Sequence, residues 1–386
     1  MTGDDSRFRK DFPISEKIIY MNNGAIAPTP TVTINAVNDF MTKCANEGPD
    51  SAATSEYVTS ILARLRLQVS RLINCDPEEV VLTQSTTDGI NLVANGLDWK
   101  NGDSIVIRGG RHEHYANYLA WLRISQTKAV RLHELGIDEN GLFDLSELEK
   151  AAKNCKLVAM SHALYNTGAV LPVEEVGRIA RQNNALFFID AAQSAGTLQI
   201  DVKKIGCHFM AFPGFKWLCG PTGIGVFYCS KQAAEFLTPP EIGWESAILS
   251  DSGIIAYMEM PARFQTGFRN YAGAAGLLSS IQYILDIGIE NIRQQNLKVA
   301  NVLRSELDKI SSVKLLGPEE PDNRTSIVTF TASLDSSSIV KKLEAANIVL
   351  VDRDIAKSKK GVRASPHFFN SEQEAVQVAE QVKGLL

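Results

Sequence analysis

The stretch Phe212-Pro-Gly-Phe-Lys-Trp-Leu-Cys-Gly-Pro-Thr-Gly-Ile-Gly-Val226 decides how the rest of the chain is read. It begins on the apolar run Phe209-Met-Ala-Phe212, which has the composition of a buried strand. It closes on Gly220, Gly223 and Gly225, which let backbone pass close to a bulky group. Lys216 stands between them. A lysine held at such a place is partly desolvated, so its pKa falls and its neutral amine becomes available as a nucleophile.

Upstream, the apolar run Ala185-Leu-Phe-Phe-Ile-Asp190 ends on a carboxylate. An amine able to form a Schiff base and a buried aspartate able to pair with a pyridinium nitrogen are together the protein's half of pyridoxal phosphate (PLP) chemistry. Seven strand-like runs are expected, at 80–82, 104–107, 129–132, 157–160, 185–189, 209–212 and 224–228. Stretches with helical spacing separate most of them, which predicts an α/β fold: a mainly parallel seven-stranded sheet between helices. The run at 224–228 follows its predecessor after only a turn and is expected to be antiparallel. Composition changes near Pro261. Beyond it, helices at 272–288 and 289–310, a strand at 326–330, a helix at 337–346, a strand at 348–351 and a helix at 371–386 predict a small α/β C-terminal domain. The expected division is a large domain at 16–262 and a small one built from 1–15 with 263–386. The basic run Lys357-Ser-Lys-Lys-Gly361 reads as a solvated loop.

Ligands of such sheets gather beyond the carboxyl ends of the strands. Four segments reach that place, each after a strand and all upstream of Lys216. Gln84-Ser-Thr-Thr-Asp-Gly89 puts hydroxyls and free N–H groups at a helix start, which suits a phosphate, although Ser85 to Asp88 would equally form a plain capping box. Arg111-His-Glu-His-Tyr-Ala-Asn117 offers His114 to stack on a ring and shuttle protons, or simply to pack. Ser161-His-Ala-Leu-Tyr-Asn-Thr-Gly168 offers Asn166 for a phenolic oxygen. Asp190-Ala-Ala-Gln193 carries two polar groups that need partners once buried.

A net charge of −5 favours neither nucleic acid nor an anionic membrane surface. The polar start of the chain has no apolar h-region and no run is long enough to span a bilayer, so a cytoplasmic protein is expected. Six cysteines, at 44, 75, 155, 207, 219 and 229, form no Cys-x-x-Cys pair, so no metal site is indicated.

On Thr86-Thr-Asp-Gly-Ile-Asn-Leu-Val-Ala-Asn95, Glu113-His-Tyr-Ala-Asn117, Asp190-Ala-Ala-Gln193 and Lys216 with its glycine-rich sequel, the chain resembles class V aminotransferases of PLP fold type I. That branch holds cysteine desulfurases, selenocysteine lyases, isopenicillin N epimerases and cyst(e)ine C–S lyases. The resemblance implies that Lys216 joins the cofactor, that Asp190 meets the pyridine nitrogen and that Gln193 lies near the phenolic oxygen. His114 would stack on the ring, and Thr86 and Thr87 would bind phosphate. Arg363 would hold the substrate carboxylate, with Arg269 and Asn23 as further substrate contacts. It also implies a small-molecule amino-acid substrate and a homodimer with shared active sites.

Three departures sharpen the reading. The family usually has Ser or Thr, Gly and His before the lysine, whereas Pro213-Gly-Phe215 stands here. Phe268 in Gly267-Phe-Arg-Asn270 replaces another hydroxyl, leaving Arg269 or Tyr271 as substitute phosphate ligands. Desulfurases also need a mobile cysteine upstream of the carboxylate-binding arginine to take up sulfur as persulfide. No cysteine follows Cys229. The expected chemistry is therefore β-elimination of the C–S lyase type through Lys216. Alternatives are transamination or epimerisation, desulfurase chemistry by family name, and a non-catalytic scaffold.

Overall fold

The computed structural model describes residues 6–109, 112–356 and 359–386. Arg111 of the histidine segment, Lys357 and Ser358 of the basic run, and the first five residues assigned to the small domain lie outside them.

The large sheet has seven strands: β1 Val80–Thr83, β2 Ser104–Arg108, β3 Arg131–Leu135, β4 Leu157–Ser161, β5 Leu186–Asp190, β6 Phe209–Pro213 and β7 Gly225–Cys229. Their order is β1-β7-β6-β5-β4-β2-β3. The strands from β2 to β6 pair in parallel. β7 runs antiparallel between β1 and β6, as the short turn before it dictates. Every residue of β1, β2, β4, β6 and β7 is buried, which is why these strands read as continuous apolar runs rather than alternating ones. The edge strand β3 starts later than the apolar run at 129–132 suggests. Ala129 caps the preceding helix in the left-handed conformation, at φ 52°, so extended backbone begins only after it.

The C-terminal core gathers Val299, Leu303, Phe330, Ile339, Val362 and Val378. The helix Tyr271–Ile287, expected in the small domain, packs instead against Thr31–Glu47 and Ala52–Ile73, and its Leu277, Ile281 and Ile284 join the large core. Phe12 joins that core as well. The division between cores falls inside the helix Ile289–Asp308, because Ile289 and Ile292 face one and Val299 and Leu303 the other. The composition break at Pro261 marks a surface hairpin and turn, not the change of core.

The run expected as one strand at 348–351 splits. Ile348–Val349 pairs in parallel with Ile19–Tyr20, and Val351–Ala356 forms a hairpin with Lys359–Ala364. The segment after Tyr20 then straps the two cores together. The Asn23 amide donates to Ser365 O at 2.8 Å, Gly24 N donates to Ser365 Oγ at 3.0 Å, and Ala27 N donates to Phe215 O at 2.9 Å. Among the described residues, no single helix is long and apolar enough to cross a membrane.

One glycine fixes how closely the helix Thr86–Gly96 approaches the sheet. A Cβ at Gly89 would lie 2.6 Å from Ala211 Cβ on β6 and 3.3 Å from Phe227 on β7. Gly89→Ala is expected to push the helix start outward and to destabilise the protein by about 1–3 kcal/mol, read as a lowered Tm, with weakened cofactor retention.

Candidate active site

The turn after β6 places Lys216 at the carboxyl edge of the sheet, where Gly220 N closes on Gly214 O at 2.8 Å and Cys219 N closes on Lys216 O at 2.8 Å. Burial lowers the Lys216 pKa to about 8, against the opposing pull of Asp190 and with help from Arg363 and Arg353. Asp190, at the end of β5, accepts from Ala192 N at 2.9 Å. Burial pushes its carboxyl up to about 6, the Ala192 N–H and the Lys216 cation working the other way. The neutral amine is the form that attacks an aldehyde, and its fraction grows as pH rises through the amine pKa. Cofactor uptake by apoprotein is therefore expected to accelerate up to about pH 8 and level off above it, rather than climbing toward the 10.5 of a free lysine. Stopped-flow absorbance across that range checks this.

Ser85, Thr86 and Thr87 line the other end of the same cleft. Ser85 caps the helix by accepting from Asp88 N at 3.2 Å, and Asp88 accepts from Gln84 N at 2.9 Å. The remaining first-turn N–H groups have no intrahelical partner by geometry and are the natural donors to an anion. Gly225 admits this loop, since a Cβ there would stand 3.1 Å from Ser85 Cα. Pro213 and Phe215 form the wall where the family's hydroxyl and imidazole are missing.

His114 faces the cleft at the start of the helix Tyr115–Lys128, and its Nδ1 accepts from Ala116 N at 3.2 Å. Although the ring remains exposed to the open cleft, the protein packed around it and the Lys216 cation lower its pKa to about 4, only partly opposed by Glu113. The Tyr165 ring meets it edge-on, with centroids 5.1 Å apart.

Ser161, Ala163 and Tyr165 line the cleft, while the intervening His162, Leu164 and Asn166 do not. The chain leaves β4 through a turn at 165–167, and Asn166 falls outside the cleft lining. Its Nδ2 donates to Asp354 O at 3.4 Å and its Oδ1 accepts from Thr167 N at 2.9 Å. Tyr165 lines the cleft where Asn166 was expected.

Gln193 lines the cleft but is pinned: it donates to Gly24 O and accepts from Trp217 Nε1, both at 2.9 Å. Arg363 is almost wholly buried beside it, donating to Tyr165 O at 2.7 Å and Asn22 Oδ1 at 3.3 Å. Its Nε has no partner. Burial and Arg353 both work against its charge, a cost that an acid ligand would relieve.

Arg353 was missed because its strand reads as loop. Arg353 lies opposite Gly361 and Val351 opposite Arg363 in the hairpin. Opposite residues and residues two apart share a face, so both guanidiniums project to one side. Both also depress Lys216.

Besides Asn166, and Arg363 buried beside Gln193, two further candidates are not among the residues that line the cleft. Asn23 is buried in the strap. Arg269 lies on the surface, paired with Glu245, 3.0 Å from the Tyr271 hydroxyl and 5.2 Å from the Trp244 ring centroid. Thr86, Thr87, His114, Asp190, Gln193 and Lys216 share one cleft.

An anion-binding helix start, a flanking imidazole, a buried carboxyl and a desolvated lysine in one cleft fit PLP, and with this sheet they define a fold type I PLP enzyme. The comparisons agree. The family model for aminotransferase class V matches residues 19–377. A probable cysteine desulfurase from Pyrococcus abyssi is 34% identical over 95% of this chain and 94% of its own. The apo structure of a cysteine desulfurase from Thermococcus onnurineus NA1 superposes with a TM-score of 0.92 at 33% identity, covering 98% of this chain and 97% of that one. The cystine C–S lyase C-DES, solved with its reaction product cysteine persulfide, gives a TM-score of 0.89 at 27% identity over 96% and 99%. The chain belongs to the class V aminotransferase family of PLP-dependent enzymes and is similar to its cysteine desulfurases and C–S lyases.

Proposed function

We propose that this enzyme eliminates the β-sulfur of a sulfur amino acid bearing two acid groups, such as L-cystine. The observation that carries the reading is the pair Arg353 and Arg363 on one face of a hairpin that holds no cysteine among its described residues. One guanidinium would bind the α-carboxylate bidentately and the other the distal acid. A desulfurase needs a reactive thiol at the site. Here the buried thiols are held up by burial, Cys75 to about 12 and Cys155 to about 11, with Cys207, Cys219 and Cys229 raised further. The similarity to a cystine C–S lyase supports the same reading.

PLP supplies an electron sink for the bond broken at Cα. Lys216 Nζ takes the α-proton, and the Cβ–S bond breaks with its electron pair leaving on sulfur. From cystine the products are cysteine persulfide and, after hydrolysis, pyruvate and ammonia. Thr86, Thr87 and Asp190 hold the cofactor, and Gln193 keeps the lysine loop in register through Trp217.

We place the enzyme in the cytoplasm as a homodimer. Exposed apolar side chains cluster around the hairpin Ala247–Leu249 and Ile255–Tyr257, where Trp244 is 75% and Leu249 73% exposed, a surface suited to a second copy. On that surface Arg269 would serve a neighbouring copy's cleft rather than its own.

The test is product analysis of PLP-loaded protein with L-cystine and L-cysteine. Pyruvate from cystine, at a kcat/KM well above that for cysteine, is expected. No pyruvate with the cofactor band intact would turn the search to amino donors, racemisation and a keto-acid acceptor.

A further inference from the structure

Glu113 is 1% exposed and has no part in the chemistry above. Its Oε2 accepts from Arg108 Nε at 3.4 Å, and its Oε1 accepts from the Ser161 hydroxyl and, at 3.1 Å, from His114 N. Arg108 is wholly buried, and its two outer nitrogens donate to Gly141 O at 2.9 Å and His112 O at 2.8 Å. Burying opposite charges is costly unless every arm is hydrogen-bonded, and an apolar pair would fill the same space. Here one carboxylate oxygen ends on the peptide nitrogen of the cleft histidine.

That peptide sets the helix start. His114 sits at φ −61° and ψ 136°, which swings its ring so that Nδ1 accepts from Ala116 N. A ring nitrogen that accepts carries no proton, so the proton of the neutral ring is on Nε2. Protonating Nδ1 would break the cap and place a cation at a helix N-terminus. The ring also faces Lys216, Arg353 and Arg363, with Glu113 as the opposing carboxylate and the Tyr165 ring against its edge.

We propose that the Arg108–Glu113 pair locks His114 as a hydrogen-bond donor of fixed tautomer, with Nδ1 committed to the Ala116 N–H and Nε2–H left for the cleft. Glu113 is a positioning residue. His114 orients the bound group and carries no proton during turnover. This rests on the cleft being the PLP site and not on the choice of substrate.

The test is NMR of holoprotein labelled with 15N-histidine, the His114 signals being assigned by their loss in His114→Gln. Between about pH 6 and 9, His114 is expected to show the Nε2–H pattern without titrating. An Nδ1–H pattern, or a titration inside that range, overturns the proposal without any variant being needed. Glu113→Gln, which keeps an acceptor for His114 N, is expected to preserve the pattern, and Glu113→Ala to give mixed tautomers. An unchanged pattern in folded Glu113→Ala overturns the role of the pair. His114→Gln retains a donor and is expected to lose less than about tenfold in kcat, against about 100-fold or more for His114→Ala. Equal losses would mean proton transfer and sink the donor role. The NMR outcomes do not depend on whether pyruvate is the product, and the kcat comparison is read on whichever amino acid the enzyme turns over.

Discussion

Lys216→Ala is expected to leave a protein that binds PLP but no longer holds it covalently. Borohydride treatment of loaded wild type should fix the cofactor to the peptide containing Lys216, and the same treatment of the variant should fix none. The retained grip is expected from Thr86, Thr87 and Asp190, which line the same cleft. Turnover should fall by more than about 1,000-fold, because in the proposed reaction one residue supplies both the covalent attachment and the base for the α-proton. A small amine added to the variant should restore part of it. Reducible attachment surviving in the variant would identify a different lysine as the partner.

The second large effect concerns the two arginines. Arg363→Ala is expected to raise KM for every amino-acid substrate by about 2–5 kcal/mol equivalent, since a buried bidentate partner is lost. Arg353→Ala should raise KM for cystine and leave that for cysteine within about threefold, because only the larger substrate brings a second acid group to it. Steady-state kinetics of both variants on both substrates decide this. An equal rise on the two substrates for Arg353→Ala would remove the two-acid reading. An unaltered KM for Arg363→Ala would move carboxylate binding elsewhere, Arg269 being the remaining candidate.

Asp190, Lys216 and the helix start at Thr86 were legible in the sequence for one reason: each stands at or shortly after the end of a buried strand, and buried strands here are plain apolar runs. What was not legible depended on side-chain direction or distant pairing. Asn166 and Tyr165 are neighbours in a turn after β4, and only the turn's geometry decides which one meets the cleft. Arg353 belongs to a strand with the sequence Val-Asp-Arg-Asp-Ile-Ala, which carries no apolar run and declares itself only by pairing with residues 359–364. Arg108 ends a strand and meets Glu113 across a turn, a contact that neither residue's local context announces. The helix Tyr271–Ile287 was assigned to the wrong core because the sequence reveals its apolar side but not which of two cores that side faces.

The strap has a consequence for how the molecule is made. Gly24 and Ser365, joined by a hydrogen bond, are 341 residues apart. At about 5–20 residues per second of synthesis, the strap waits tens of seconds for its partner to leave the ribosome. The sheet strands β1 to β7 end at Cys229 and can close before then, but the Arg363 side of the cleft cannot. The nascent chain therefore carries the sheet side of the cleft well before the side to which Arg363 belongs, and the complete cleft forms only once Ser365 has emerged.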